Sequence, residues 1–260
     1  MPPSATPPPS PGDSYVQSFA RGLEVIRSFS AQAPQQTLTE VAERTGLTRA
    51  GARRILLTLQ TLGYVESDGK LFRLTARILD LGFAYLSSMP IWNLAEPLME
   101  QLVEQLKESC SAAVLDGTDI VYVLRVPTHK VMSISLGVGS RLPAYCTSMG
   151  RVLLADQPDE EVLRRLKLAK PHALTRHTVT STEALLAKVQ QVRRQGWSLV
   201  NQELEEGLIS LAAPITNRAG RTIAALNISG QANRTNVKTA QDHLLPALLR
   251  CAQAISKLLP

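Results

Sequence analysis

LTEVAERTGLTRAGARRILLTLQTLGYV, residues 38–65, decides the fold of the N-terminal part of the chain. Leu38 and Val41 begin a short apolar helix face, and Gly46 follows where a helix would end in the left-handed conformation that glycine tolerates. Thr48 then suits the start of a longer helix whose apolar positions recur at helical spacing. Two helices joined by a tight glycine turn predict a helix-turn-helix, although an ordinary helical hairpin would share this pattern.

A β-hairpin is predicted directly after the second helix. Residues 64–67 and 70–74 have the pattern of two strands, and Asp68-Gly69 between them is a strong two-residue turn signal. A further helix over residues 16–30 precedes the motif. This order of elements is typical of a winged helix.

The exposed face of the second helix is basic. Arg49 and Arg53 are placed to reach base edges in the major groove of a duplex. Arg54, Lys70 and Arg73 are better placed for phosphates, although a solvated surface is the alternative for any one arginine. The small residues between them would let the helix approach the bases closely. The predicted DNA-binding residues are Thr48, Arg49, Ala50, Gly51, Arg53, Arg54, Lys70 and Arg73.

Composition limits the compartment and the partners. The 260 residues carry a net charge of +6, which permits a polyanionic partner without demonstrating one. The proline-rich residues 1–13 lack a basic segment and an apolar segment, so we expect a disordered tail and no signal peptide. No run of the sequence is long and apolar enough to span a bilayer. Three scattered cysteines do not suit a disulfide framework or a zinc site, so we expect a cytoplasmic protein without a membrane partner.

The rest of the chain predicts a linker and a second domain. We expect a winged helix-turn-helix domain at 14–75, an apolar linker helix at 76–90 that packs against another chain or the second domain, and a second domain at 91–260. Hairpins with helices at both ends, including a third strand over 131–139, predict an antiparallel sheet covered by helices. The fold class is therefore α+β.

The segment RLPAYCTSMGRVLLA, residues 141–155, raises the question of an enzyme. A nucleophilic Cys146 would need a histidine base nearby in space, and no catalytic, nucleotide-binding or metal-binding motif accompanies it. We therefore expect no enzyme, no cofactor and no metal, and interpret Cys146 as a small buried thiol.

The same segment is better suited to binding a ligand. Leu142-Pro143 would turn the chain, and Thr147 and Ser148 can cap the helix that follows. Helix N-termini bind carboxylates. Asn227 and Ser229 would share one face of a later strand, where they need partners that are either each other, water or a ligand. Arg125 and Arg141 are candidates for a carboxylate partner, because a guanidinium donates two parallel hydrogen bonds. Either arginine would equally suit the surface or a subunit interface.

The chain resembles the IclR family of bacterial transcriptional regulators over nearly its whole length after residue 14. The phrases that carry the resemblance are SFARGLEVIRSF, the helix-turn-helix quoted above, RLPAYCTSMGRVLLA, and LAAPI followed by AALNISG. RVPTHKVMSISLGVGSRLPAYCTSMGRVLLA is similar to the PcaR/PcaU/PobR branch, whose members control aromatic-acid catabolism through the β-ketoadipate route.

The resemblance implies a C-terminal effector-binding domain of GAF-like form. It implies pocket positions on a loop and helix start, on later strands and on one earlier strand: Leu142, Cys146, Ser148, Met149, Val200, Ser210, Asn227, Ser229 and Val131. Members that bind very small keto acids have an acid and a thiol where this chain has Val200 and Ser210. That difference is consistent with a larger, more aromatic ligand.

The resemblance also implies the partners. These are double-stranded operator DNA, a small carboxylate effector such as protocatechuate, 4-hydroxybenzoate or β-ketoadipate, and further copies of the chain in a homodimer or homotetramer. It favours an activator over a pure repressor. A regulator of another carbon-source pathway, a constitutive DNA-binding protein and a Cys- or Ser-dependent enzyme stay open as alternatives.

Overall fold

The computed structural model describes residues 12, 15–88, 91–128 and 136–259. The chain forms two compact units that divide after Tyr85. The predicted boundaries, 75/76 and 90/91, stay predictions. Val131 and most of the expected third strand lie outside the described residues, and Leu136–Gly139 of that strand are not in a strand.

Three helices form the frame of the N-terminal unit: α1 Gln17–Ser28, α2 Leu38–Thr45 and α3 Arg49–Thr61. Thr37 caps α2 in a capping box with Glu40, and Gly46 ends the helix with a φ of 65°. The Thr48 side chain caps α3. The helix-turn-helix is therefore built from the local signals that the sequence displays.

A three-stranded antiparallel sheet completes the winged helix. Its strands are β1 Gln35–Thr37, β2 Val65–Ser67 and β3 Leu71–Leu74, in the order β1-β3-β2. Gly69 turns the hairpin with a φ of 99°, and the Asp68 carboxylate accepts the backbone N–H groups of Lys70 and Leu71. The hairpin was predicted, whereas β1 was not.

The predicted linker helix is α4, Leu79–Ser87, which follows a short 3-10 turn at Ala76–Ile78. Leu79, Leu81 and Phe83 are exposed in the protomer. The expectation that these side chains pack against another chain or the second domain stays a prediction.

The second unit is built on a six-stranded antiparallel sheet. Its strands are β4 Ser109–Asp116, β5 Asp119–Val126, β6 Arg141–Pro143, β7 Ser198–Asn201, β8 Leu208–Thr216 and β9 Thr222–Gln231. Their order is β6-β5-β4-β9-β8-β7. The turn predicted at Leu142-Pro143 was wrong, because this segment pairs with β5 as an edge strand. An edge position tolerates proline, which has no N–H to donate.

Helices cover both faces of this sheet. α5 Ile91–Leu106 and α10 Leu245–Lys257 pack on one face. A short helix, α9 Val237–Thr239, and a π-helical segment, Ala240–Leu244, lead into α10. The other face carries α6 Ser148–Ala155, α7 Asp159–Ala169 and α8 Thr182–Gln195. Within the described parts of the chain, no helix has the length and apolar character to span a membrane.

Candidate ligand cavity and nucleic-acid surface

The first turns of α3 present a basic surface. Arg49, Ala50 and Arg53 are exposed, and the two arginines lie four residues apart on one side of the helix. Gly51 is half-buried, and a Cβ there would lie 3.2 Å from the Thr48 hydroxyl oxygen. The glycine therefore makes room for the N-cap, in addition to the close approach to bases predicted for it.

The predicted phosphate contacts lie on different parts of the same unit. Arg54 lines a groove between α1 and α3, whereas Lys70 is exposed beside the hairpin turn. Arg73 donates to Glu66 across the hairpin at 2.7 Å, and both side chains are more than half exposed. An exposed pair of this kind contributes about 0–1 kcal/mol, so a phosphate would compete with Glu66 at little cost.

A cavity lies between α6, the sheet and the segment that joins β7 to β8. Its lining brings together eight of the eleven predicted effector-binding residues. These are Arg125, Cys146, Ser148, Met149, Val200, Ser210, Asn227 and Ser229. The residues come from four strands, from the start of α6 and from the 3-10 turn before it, so only the folded chain assembles them.

The start of α6 forms one wall of the cavity. The Thr147 side chain caps the helix by accepting the Gly150 N–H at 3.2 Å. The Ser148 hydroxyl, one residue later, lies 2.8 Å from the Ser210 hydroxyl on β8. Thr147 is therefore the cap, while Ser148 turns towards the sheet.

A polar network forms the sheet side of the cavity. The Asn227 amide donates to Ser210 at 3.1 Å and to Ser229 at 2.9 Å, and its oxygen accepts the Ser111 N–H. The alternation that placed Asn227 and Ser229 on one face of a strand is confirmed, because β9 directs both towards Ser210. These groups are partnered within the protein, so a ligand would extend or exchange their hydrogen bonds.

Arg125 is the cationic member of the described lining. Its guanidinium donates to the Ser111 hydroxyl at 3.2 Å, and Ser111 is itself buried beside the Asn227 amide. The arginine is therefore tied to the polar network while it borders the cavity.

Cys146 is a wall of the cavity rather than an activated thiol. Burial raises the pKa of its thiol from the ordinary 9.0 to about 12. The thiol therefore stays protonated near neutral pH, whereas a cysteine nucleophile needs a lowered pKa.

The cavity is narrow. Its volume is about 30 Å³, which is room for one or two water molecules. An aromatic acid would therefore enter only if lining side chains move. Met149 suits such a wall, because its unbranched side chain adapts to irregular spaces.

Three predicted residues are not among these lining residues. Arg141 lies on β6, where its guanidinium pairs with Asp116 at 2.6 Å and with Asp119 at 3.3 Å. These hydrogen bonds raise its pKa. Leu142 packs against the core beneath α6 and does not line the cavity. Val131 lies outside the described residues.

Sequence reasoning missed several lining residues: Tyr122, Leu136, Leu204, Glu205 and Leu208. It had also treated Thr147 as a helix cap alone, although this residue borders the cavity. The pattern of β5 gave no signal for Tyr122, whose pKa burial raises to about 12. The others follow turns or irregular segments, where no periodicity indicates a direction.

A winged helix joined to an α+β unit with a polar cavity defines a DNA-binding regulator that responds to a ligand. Residues 83–257 match the family described as bacterial transcriptional regulator IclR C-terminal, and residues 18–69 match the IclR helix-turn-helix domain. The chain belongs to the IclR family of bacterial transcriptional regulators. The resemblance found in the sequence is thereby confirmed, as is the fold class, and the family members are regulators rather than enzymes.

Curated relatives and a solved structure match most of the chain. The Pca regulon regulatory protein of Pseudomonas putida is 43% identical over 240 residues, which cover 92% of this chain and 82% of the relative. The p-hydroxybenzoate hydroxylase transcriptional activator of Acinetobacter baylyi is 35% identical, with 95% and 93% covered. The crystal structure of an IclR homolog from Microbacterium hydrocarbonoxydans, complexed with 4-hydroxybenzoate, is 25% identical. Its TM-score is 0.80, and the alignment covers 92% of this chain and 98% of that one.

Proposed function

We propose that the chain regulates genes of aromatic-acid catabolism in response to a small carboxylate. The effector is protocatechuate, 4-hydroxybenzoate or β-ketoadipate, and it binds in the cavity between α6 and the sheet. Two observations on relatives support this class of ligand: their names refer to Pca and p-hydroxybenzoate regulation, and a similar structure holds 4-hydroxybenzoate.

The observation that carries the proposal is the lining of the cavity. Arg125 supplies a guanidinium for a carboxylate, and the hydroxyls of Ser148, Ser210 and Ser229 with the Asn227 amide supply groups for a ring hydroxyl or a keto oxygen. Met149 and Val200 supply apolar contact for a ring or chain. This combination of few polar groups and apolar walls is typical of small-molecule sites.

The same proposal assigns the DNA contacts. Arg49 and Arg53 read base edges from the exposed side of α3, since its first turns carry no bulky residue between them. Arg54, Lys70 and Arg73 contact phosphates, which position the domain without reading sequence.

The protein acts as a homodimer or homotetramer. A groove of about 780 Å³ runs along α1 and α3 and is mainly apolar. Phe19 and Leu81 line it and are 68% and 50% exposed, and Phe83 of α4 is 69% exposed. An apolar surface of this size favours a partner, and a second copy would cover its apolar residues on both chains at once.

We further propose that the regulator activates transcription, as the name of the Acinetobacter baylyi relative states for that protein. Binding of the acid shifts the oligomer between two arrangements of its winged helices, which requires different affinities of the acid for the two states. This takes place in the cytoplasm, where operator DNA is accessible.

Calorimetric titration of the full chain with the three acids tests the proposed ligand class. We expect at least one of them to bind with a dissociation constant in the micromolar range, which corresponds to a binding free energy of about 8 kcal/mol. Benzoate and adipate, which lack the hydroxyl or keto group, are matched controls and should bind more weakly. If none of the three acids binds, a regulator of another carbon-source pathway becomes the better account.

A further inference from the structure

A buried ion pair joins two walls of the cavity. Arg151 follows Ser148 by one turn on α6, and its guanidinium donates to both carboxylate oxygens of Glu203, at 2.7 and 2.6 Å. The two side chains are 2% and 9% exposed. The third guanidinium nitrogen, Nε, donates to the Tyr145 carbonyl at 3.0 Å. The arginine therefore has no freedom to rotate without breaking three hydrogen bonds.

Glu203 is held equally firmly on its own side. It lies in the segment between β7 and β8, where its Oε2 also accepts the Val179 N–H at 3.1 Å. Its backbone carbonyl accepts the Thr178 hydroxyl at 2.6 Å. The preceding residue, Gln202, has a φ of 60°, a conformation that non-glycine residues adopt only when their surroundings impose it.

The residues directly after this anchor line the cavity. Leu204, Glu205 and Leu208 line the same cavity as Ser148 and Met149 of α6. Arg151 is two residues from Met149, and Glu203 is one residue from Leu204. The ion pair thus links α6 to the segment after β7, and each partner lies within two residues of a residue that lines the cavity.

We propose that the Arg151–Glu203 pair positions the 204–208 wall against α6 and thereby sets the affinity for the effector. This inference rests on the proposed function, since it takes the cavity as the effector site. A buried pair loses much of its attraction to desolvation, so stability alone explains it poorly. Its forked geometry fixes orientation as well as distance, which suits a positioning role.

Because the cavity is narrow, the Arg151–Glu203 pair must hold the wall in place while a ligand enters. An aromatic ring displaces side chains of the wall, because the cavity volume is about 30 Å³. With Glu203 anchored, the side chains of the 204–208 wall move aside for the ring and then pack against it. Without the anchor, the 204–208 segment is ordered only when the ligand binds, and that ordering lowers affinity.

Three variants of the full chain test the role of the pair. Glu203→Gln keeps the shape of the side chain and removes its charge, while Arg151→Lys keeps the charge and removes the fork. Because either change leaves a buried group poorly paired, the double variant Arg151→Met/Glu203→Met replaces both with apolar groups, a change that buried pairs often tolerate. Asp159→Asn is the control. It breaks an ion pair between Asp159 and Arg193, 2.7 Å apart, and neither residue lines the cavity.

Ligand affinity and hydrogen exchange together test whether the pair positions the wall. Calorimetry with 4-hydroxybenzoate, protocatechuate and β-ketoadipate should show an affinity that is lower by roughly tenfold or more in the double variant and in Glu203→Gln. A loss of this size is known for residues that orient the ligands of a metal ion without touching the ion. Arg151→Lys should fall between these and the unmodified chain, and Asp159→Asn should bind as the unmodified chain does. Hydrogen exchange at 204–208 should quicken in the double variant and not in Asp159→Asn.

The outcomes separate this inference from the proposed function. If the unmodified chain binds an acid and the double variant binds it equally well or more tightly, the positioning role is wrong. If the unmodified chain binds none of the acids, the proposed ligand class fails, and exchange at 204–208 alone decides whether the pair holds the wall. Unchanged exchange in a folded double variant overturns the inference in either case.

Discussion

The hydroxyl oxygens of Ser148 and Ser210 lie 2.8 Å apart, although 62 positions separate them in the chain. This contact ties the start of α6 to the first half of β8. It also places a helix N-terminus, a serine pair and the Asn227 amide around one cavity.

Ser210→Ala should weaken both the effector site and the fold. The Asn227 amide loses one acceptor, which costs about 1–3 kcal/mol of unfolding free energy for a buried group left unpaired. Affinity for the acid should fall by roughly tenfold if one hydrogen bond to it is lost. Ser256→Ala is the control, because its hydroxyl accepts the Thr216 N–H away from the cavity. Equal affinity in both variants would exclude Ser210 from the site.

Arg53→Ala should reduce operator affinity by about 1–3 kcal/mol and relax the preference at one base pair. The arginine is exposed on the side of α3 that we assign to the major groove. Fluorescence anisotropy on a DNA fragment selected by the protein from a random pool measures this loss. Arg218→Ala removes the same charge from an exposed turn of the second unit and should leave the affinity unchanged. An unaltered binding profile for Arg53→Ala would refute the assignment.

Gly150→Ala should destabilise the second unit severely. A Cβ at this position would clash with the Ala144 backbone, its carbonyl oxygen first, and the residues on both sides are buried. We expect a loss of about 3 kcal/mol or more in thermal or urea unfolding. Gly82→Ala, within α4, meets nothing within 4 Å and should be neutral or stabilise by up to about 1 kcal/mol. Similar unfolding of the two variants would show that α6 does not pack as described.

The cysteines should be unreactive in the folded chain. Burial raises the pKa of Cys146 to about 12 and that of Cys251 to about 11, and it raises that of Cys110 well above its ordinary range. A thiol reagent at pH 8 should therefore modify the three cysteines only after unfolding. Rapid modification of the native chain at this pH would contradict the burial of these thiols.

The same shifts give a pH dependence of stability. A raised folded pKa favours the protonated form in the native state, so the stabilisation is complete below the ordinary thiol pKa of 9.0. Above pH 9, the unfolded chain ionises while the folded chain does not. The unfolding free energy should then decline with rising pH, and more steeply than in Cys146→Ala. Parallel curves for the two proteins between pH 9 and pH 11 would contradict this.

The sequence predicted those features that depend on neighbouring residues. Gly46, Thr48 and the Asp68-Gly69 turn each act within a few positions, and all three lie as expected. Strand β1 was missed because its three residues are ordered only by pairing with β3, some 36 positions later. Edge strand β6 was misassigned for the same reason, since its pairing with β5 overrides a local turn preference.

In the candidate site too, the sequence indicated individual residues, while contacts between distant residues appear only in the fold. The resemblance indicated Ser148, Ser210 and Asn227, and the structure brings them together. Arg141 looked equally suited to a carboxylate, but only the fold shows that Asp116 and Asp119 already hold its guanidinium. The Arg151–Glu203 pair joins residues 52 positions apart, and no pattern in the sequence connects them.

The most direct test of the account is a crystal structure of the full chain with the tightest-binding of the three acids. We predict the acid between Met149 and Asn227, with its carboxylate within hydrogen-bond distance of Arg125 and with the 204–208 wall displaced to admit it. Density for the acid elsewhere on the protein, with the hydrogen bonds of Ser148, Ser210 and Asn227 unchanged, would contradict the account.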